Sequence, residues 1–317
     1  MDDVHVGRRN ILKIGSCLLG ALTISPLRSL ASASPFQFPT PSLTYSDNIS
    51  ADIEVYVTKG IDYIYDLNNN LFNLNIRQNF VSKYSPDGTL LWRFGGSRKL
   101  LNCPSSIAIG NSGSMFVADK GNSRILKLSN RGKLAFVIKH KQKQKPRRLY
   151  HPNELSVANN NLYIADTHNN QILIYTLAGH LLKVFGSFGL KESQFNHPSS
   201  IAVSEAGEIF VVDKGNRSVK VFSKSGVLLD VFNGSTIAGL PTNFQPSRLA
   251  LSKEGLLYVV ERVPARVLVL TQFGRVVDRI DLISSDNTRP QPNYISFKSE
   301  GTVILSAHHV LPAITQR

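Results

Sequence analysis

One motif returns at a nearly fixed interval and decides most of what this chain can become. Pro104, Pro152, Pro198, Pro246 and Pro292 each precede a short apolar run, alternately 48 and 46 residues apart. An acidic residue follows the first four after 14 or 15 residues: Asp119, Asp166, Asp213 and Glu261, with Ala307 in the last place. An earlier stretch fits the same frame, with Gly60 in the proline position and Asn75 in the acidic one. Six units result. A repeat of this length is one supersecondary unit that cannot bury its own faces and must stack on its neighbours.

Within a unit the runs are short and rich in β-branched and aromatic residues. "SIAV", "EIFVV", "SVKVF" and "VLLDVF" are separated by "SEAG", "DKGN" and "SKSG". These are strand and turn signals, and no useful helical period appears. The expected fold is all-β: a six-bladed β-propeller with four antiparallel strands per blade. Residues 60–317 form the propeller. The last unit runs short of strands, so segment 34–59, with "PSLTY" and "DIEVYV", is expected to complete the last blade and close the ring.

The units resemble NHL repeats. The likeness rests on the proline, the "IAV" run, Gly113, Gly207 and Gly255, the "VAD" or "VVD" strand end, the Asn after it, and Gly132, Gly179, Gly226 and Gly274. It implies the propeller fold, and function has to be read from sites rather than from the fold. The twice-written Asp-Lys-Gly-Asn at 119–122 and 213–216 is expected to be a turn the architecture needs, since Asp and Asn bond nearby amides. Repeats multiply structural residues more readily than active ones.

Residues 1–33 read as a cleavable signal peptide. Arg8-Arg9 precede a modest apolar stretch, and Ala31-Ser32-Ala33 offers a cleavage site. "RRNILK" resembles the twin-arginine consensus, which implies export of a folded protein to the periplasm or another lumenal compartment. Cleavage removes four basic and two acidic residues from a formal charge of +14, and removes Cys17. Cys103 then stands alone, so neither an internal disulfide nor a cysteine metal cluster can form. With 42% hydrophobic residues the chain has material for a large core, no stretch of the mature chain is apolar enough to span a bilayer, and a monomer is expected.

Two positions in each unit are expected at the mouth of the central channel. One set follows the proline: Ser105-Ser106, Asn153-Glu154, Ser199-Ser200, Ser247-Arg248 and Asn293-Tyr294. The other follows the acidic anchor: Arg124, His168, Asn170, Arg217, Arg262, His308 and His309. Residues that depart from the sister units matter most. Glu154, with His168, is the candidate catalytic group. Arg248, Tyr294, Arg217, Arg262, Asn153 and His308 are candidate ligand contacts. Imidazole suits transition metals, so His168, His308 and His309 are the candidate set for a divalent metal, although no cofactor is expected. His151 and His197, before their prolines, read as loop residues. The peptide-amidating lyases have a similar fold and place metal-binding histidines just after the proline or four residues after the acidic anchor. Here those positions hold Ser105, Asn153, Ser199 and Ser247, and Ser123, Asn170 and Arg217, so that pattern is absent.

The stretch 139–148 carries Lys139, Lys141, Lys143, Lys145, Arg147 and Arg148 and no acid. A run of this kind is a polyanion contact or a solvated loop. Export disfavours nucleic acid and leaves an anionic lipid or glycan surface or an acidic protein. The leading reading is therefore an exported, non-catalytic scaffold that binds a protein, glycan or other anionic partner. The alternative is a lyase or hydrolase acting on a small anionic substrate at the channel mouth, with Glu154 as general base and Arg248, Arg217 and Arg262 holding the anion.

Overall fold

The computed structural model describes residues 43–45, 53–57, 61–110, 112–139, 149, 151–282, 288–299 and 301–312. The expected signal peptide, most of segment 34–59 and residues 140–148 lie outside the described residues.

Blade 4 shows how a unit folds. Its strands Pro198–Val203, Ile209–Asp213, Ser218–Phe222 and Leu228–Phe232 pair consecutively and antiparallel. The first three are buried along nearly their whole length and the fourth is largely open. The sheet therefore runs from an inner strand to a rim. This is why the inner runs are continuously apolar: both faces are covered. The first hairpin closes through Gly207, whose N–H donates to Ser204 O at 2.9 Å with φ +91, a conformation that needs no Cβ.

Blades 1, 2, 3 and 5 repeat this pattern, beginning at Ile61–Tyr65, Ser106–Ile109, Pro152–Ala158 and Pro246–Leu251. Blades of four antiparallel strands thus number five, not six. The last unit supplies two strands among the described residues, Thr288–Phe297 and Val303–Pro312. Its sheet is mixed: Leu43–Tyr45 and Ile53–Val57 join it, and Ile53–Val57 runs parallel to Val303–Pro312.

The first strands of successive units lie side by side from Ser106–Ile109 round to Thr288–Phe297, which in turn meets Ile61–Tyr65. The core lies between facing blades. Phe210, Phe232, Phe244, Leu257 and Leu268 fill the space between blades 4 and 5, and Phe72, Leu101, Ile107, Val117 and Leu126 that between blades 1 and 2. Each such side chain contributes about 1.5–3 kcal/mol by burial. Across the chain ends, Tyr63 N–H donates to Ser306 Oγ and Ser296 Oγ–H to Tyr63 O, each at 3.2 Å.

The Asp-Lys-Gly-Asn stretches are latches between blades. Asp213 is fully buried, and its Oδ1 accepts the N–H of Asn196 at 2.6 Å. Its Oδ2 accepts from Asn216 Nδ2 at 2.6 Å and Lys220 Nζ at 2.8 Å. Asp119 does the same with Asn102 N–H at 2.6 Å, Asn122 at 2.8 Å and Arg124 at 2.5 Å. Gly121 and Gly215 donate to the carbonyls of Asn102 and Asn196 at 2.8 and 2.7 Å. A Cβ on either would fall within 2.7 Å of that same asparagine. Each latch ties the end of a second strand to the loop that leads into its own blade.

Candidate functional site

The structure separates the residues after the proline into two layers. In blades 3, 4 and 5 the register slips between the proline and the residue two places on. A slip of this kind re-aims the side chain that follows it. Asp62, Ser106, Glu154, Ser200, Arg248 and Tyr294 occupy matching places on the first strands of the six units. All but Arg248 are buried, and Arg248 is half-buried.

This ring is knitted together. Arg248 Nη1 donates to Glu154 Oε2 at 2.6 Å and to Ser199 O at 3.0 Å, and its Nε donates to Asn293 O at 2.9 Å. Ser106 Oγ accepts the N–H of Leu155 at 3.2 Å, and Ser200 Oγ that of Leu249 at 3.0 Å. Burial raises the Glu154 carboxyl above the ordinary range, against the opposing pull of Arg248 and Ser200. Burial disfavours the Arg248 charge most, but Glu154, Asp62 and Tyr294 together outweigh it, and the guanidinium stays charged. Burial, then Glu154 and Asp62, push the Tyr294 hydroxyl far up, so it stays protonated beside Ser106. The ring is a plug of mostly buried, mutually bonded side chains on the innermost strands. Glu154 and Tyr294 belong to this plug rather than to the open mouth, and the Glu154 carboxylate is engaged by a guanidinium.

Above the plug lies a second layer from the turns after the second strands. Lys120 is half-buried, Lys214 and Arg217 are exposed, and Arg262 is half-buried. Burial and then Arg248 and Lys214 hold Lys120 below the usual lysine range. Burial, Arg262 and Arg248 do the same to Lys214, and burial and Arg248 lower Arg262. These cations repel one another. Lys120 Nζ donates to Asn153 Oδ1 at 3.3 Å, and Asn153 Nδ2 donates to Ser199 O at 2.7 Å, so Asn153 bridges blades. Arg124 does not reach the mouth, contrary to the sequence reading, because it is drawn to Asp119 and to the carbonyls of Lys99 and Leu100.

The histidines group differently from the expected metal set. His168 stands 4.1 Å from His151 and 6.3 Å from His197, ring centre to ring centre. Burial, His151 and Lys120 lower the His168 pKa, and burial and Lys120 lower that of His151. His309 pairs with Gln291 in the last sheet, but the side chains of His308 and His309 lie outside the described residues. Among the described residues no three His, Cys, Asp or Glu side chains gather closely enough to hold a metal. Lys139 is exposed at the rim of blade 2. Lys141, Lys143, Lys145, Arg147 and Arg148 lie outside the described residues.

An NHL repeat family model matches residues 195–222, most of blade 4. The chain is 26% identical to the protein brain tumor of Drosophila melanogaster over 240 residues, 63% of this chain and 22% of that protein. It spans less than a quarter of the length of the first curated relatives it matches. Among solved structures it is similar to a streptogramin B lyase, with a TM-score of 0.56, 15% identity, 83% of this chain and 93% of that one. It is similar also to a chain of a nidogen/laminin complex, with a TM-score of 0.52, 16% identity, 69% of this chain and 79% of that one. At these identities the structural likeness shows the fold: an all-β propeller of four-stranded blades.

Proposed function

We propose that this protein is a non-catalytic binding propeller that takes an anionic partner, an acidic protein or an anionic glycan, on its basic mouth. The propeller fold is compatible with a binding or scaffold role, and its likeness both to a lyase and to a chain of a protein complex leaves the choice to the site. One observation carries the reading. Lys120, Lys214, Arg217 and Arg262 gather at one end of the channel, above Arg248, whose ion-pair partner is Glu154. Such a surface raises the local concentration of anions and speeds their encounter.

The alternative, a lyase or hydrolase using Glu154 as base, is less well supported. A base must be free to take a proton, and this carboxylate sits in the plug on Arg248. In the same proposal the mixed last sheet counts as a sixth blade that closes the ring. The chain is exported through its twin-arginine-type segment, and the basic stretch 139–148 adds a second anionic contact.

Binding of dextran sulfate as a function of salt tests the central claim. The expected result is an affinity that falls steeply with ionic strength and drops about tenfold in the Lys120→Glu/Lys214→Glu variant. Salt-independent binding, or none, refutes the reading.

A further inference from the structure

Between blades 4, 5 and 6 the mouth deepens into a cavity of about 330 Å³, lined among others by Lys214, Arg217, Gln245, Ser247, Arg262 and Gln291. That is at the lower end of small-molecule pockets, about 300–1,000 Å³. Three of these side chains are cationic, three are neutral and polar, and none of the cavity's lining residues is acidic. Glu261, next to Arg262 in the chain, is fully buried and pairs with Arg266.

Two features mark the cavity as built for an anion. Arg262 Nε is buried without a hydrogen-bond partner, and a buried donor left unmatched costs about 1–3 kcal/mol or more when charged. Arg217 has a left-handed backbone, φ +51, at the place where sister units put Ser123 and Asn170. Asn tolerates that region best among residues with a side chain, and arginine gains nothing there. A residue held against its backbone preference points to a use of its side chain. The equivalent positions of blades 2 and 3 carry no guanidinium, so the repeat does not demand one.

We propose that this cavity is a subsite for a single phosphate or sulfate group. Guanidinium groups present paired donors that match the oxygens of such a group. Arg217 and Arg262 would supply the paired donors, Lys214 a further charge, and Ser247, Gln245 and Gln291 neutral contacts. An oxyanion here would relieve the mutual repulsion of Lys214, Arg262 and Arg248. The proposal rests on the reading of the mouth as an anion-binding surface and narrows it to one group.

The test compares the intact chain with Arg217→Asn and Arg262→Thr, substitutions that copy sister units. Thermal unfolding and calorimetric titration are followed with sodium phosphate and sodium sulfate, against sodium chloride at equal ionic strength. The expected outcome is a saturable rise in Tm with phosphate or sulfate, and affinity at least tenfold weaker in each variant. Arg217→Asn should unfold no earlier than the parent in chloride alone. The stronger of the two anions tells a phosphorylated from a sulfated ligand. If neither anion exceeds chloride, or if the variants bind as the parent does, the subsite is refuted. Retained dextran sulfate binding then shows that the basic mouth stands without it, and loss of both shows that the wider reading fails too.

Discussion

The Glu154 carboxylate accepts a 2.6 Å hydrogen bond from Arg248, a residue two repeats further along the chain. Blade 4 lies between them in sequence, so the pair links blades 3 and 5 across the inner strand of blade 4, whose Ser199 O accepts from the same guanidinium. Glu154 is buried and the Arg248 side chain is half-buried, 16% exposed. Removing one member of such a pair strands the other, at about 3–5 kcal/mol. Glu154→Gln and Arg248→Met are each expected to lose that much in urea unfolding. The double variant should recover a good part of it, because replacing both charges restores a matched interior. A near-additive double variant would show that the two side chains do not act as a pair.

The buried acids of the latches differ in their partners, and the difference predicts a rank order. Asp213 meets Lys220, whose side chain is 3% exposed. In blade 3 the residue five places after the acid is Gln171, which donates to Asp166 at 3.0 Å, where blade 2 has Arg124. Asp213→Asn leaves a buried ammonium unpaired and should cost about 3–5 kcal/mol. Asp166→Asn leaves neutral amides to rearrange and should cost about 1–3 kcal/mol. Equal losses in chemical denaturation would refute this account.

The latch glycine gives a sharper contrast. Gly215 sits against Asn196, and a Cβ would come within 2.4 Å of Asn196 Cγ and 2.7 Å of its carbonyl oxygen. Gly215→Ala must displace backbone that the latch holds, at about 1–3 kcal/mol. Blade 3 has His168 in this place, where the residue two before the proline is Tyr150 rather than Asn. His168→Ala should therefore be nearly neutral to stability. Thermal unfolding of the two variants side by side checks both statements.

The repeat, its strands and the latch turns were legible because each unit writes the same local hydrogen bonds into its own sequence. Asp119 and Asp213 are structural, as their multiplicity suggested. That the last unit is short of strands was visible, but not that it supplies only two, and the parallel pairing of Ile53–Val57 with Val303–Pro312 joins segments far apart in the chain, with no local signal to set its direction. The two layers at the mouth were read as one. The register slip after Pro152, Pro198 and Pro246 re-aims the residues that follow, and a period-two reading of a strand does not show such a slip. The His151–His168 contact was missed for a similar reason. It joins a residue before a proline to a residue in the turn after a second strand, places that meet only once the turn and the loop are folded together. The available signal was that both are histidine, in positions where the sister units vary freely.

The same histidines give the mouth a dependence on pH. His151 and His168 lie beside each other, with Lys120 acting on both and His197 on His168. Burial and these neighbours disfavour their charged forms, so both should titrate below the ordinary histidine value of about 6.5. The folded pKa values are depressed. Their contribution to stability is therefore full above the unfolded value and is lost as pH falls through the folded ones. Both rings are partly or largely exposed, so the loss should be small. Charge at the mouth moves the other way: each proton taken up adds to the field of Lys120, and dextran sulfate should bind more tightly at pH 5.5 than at pH 7.5. His168→Gln removes one of the titrating groups, and His151→Gln removes a neighbour that lowers His168. Proton resonances of the imidazole Cε1–H groups, followed from pH 8 to 5, report the midpoints directly. Midpoints at or above the ordinary value, or a binding gain unchanged in His151→Gln/His168→Gln, would show that these rings do not set the charge of the mouth.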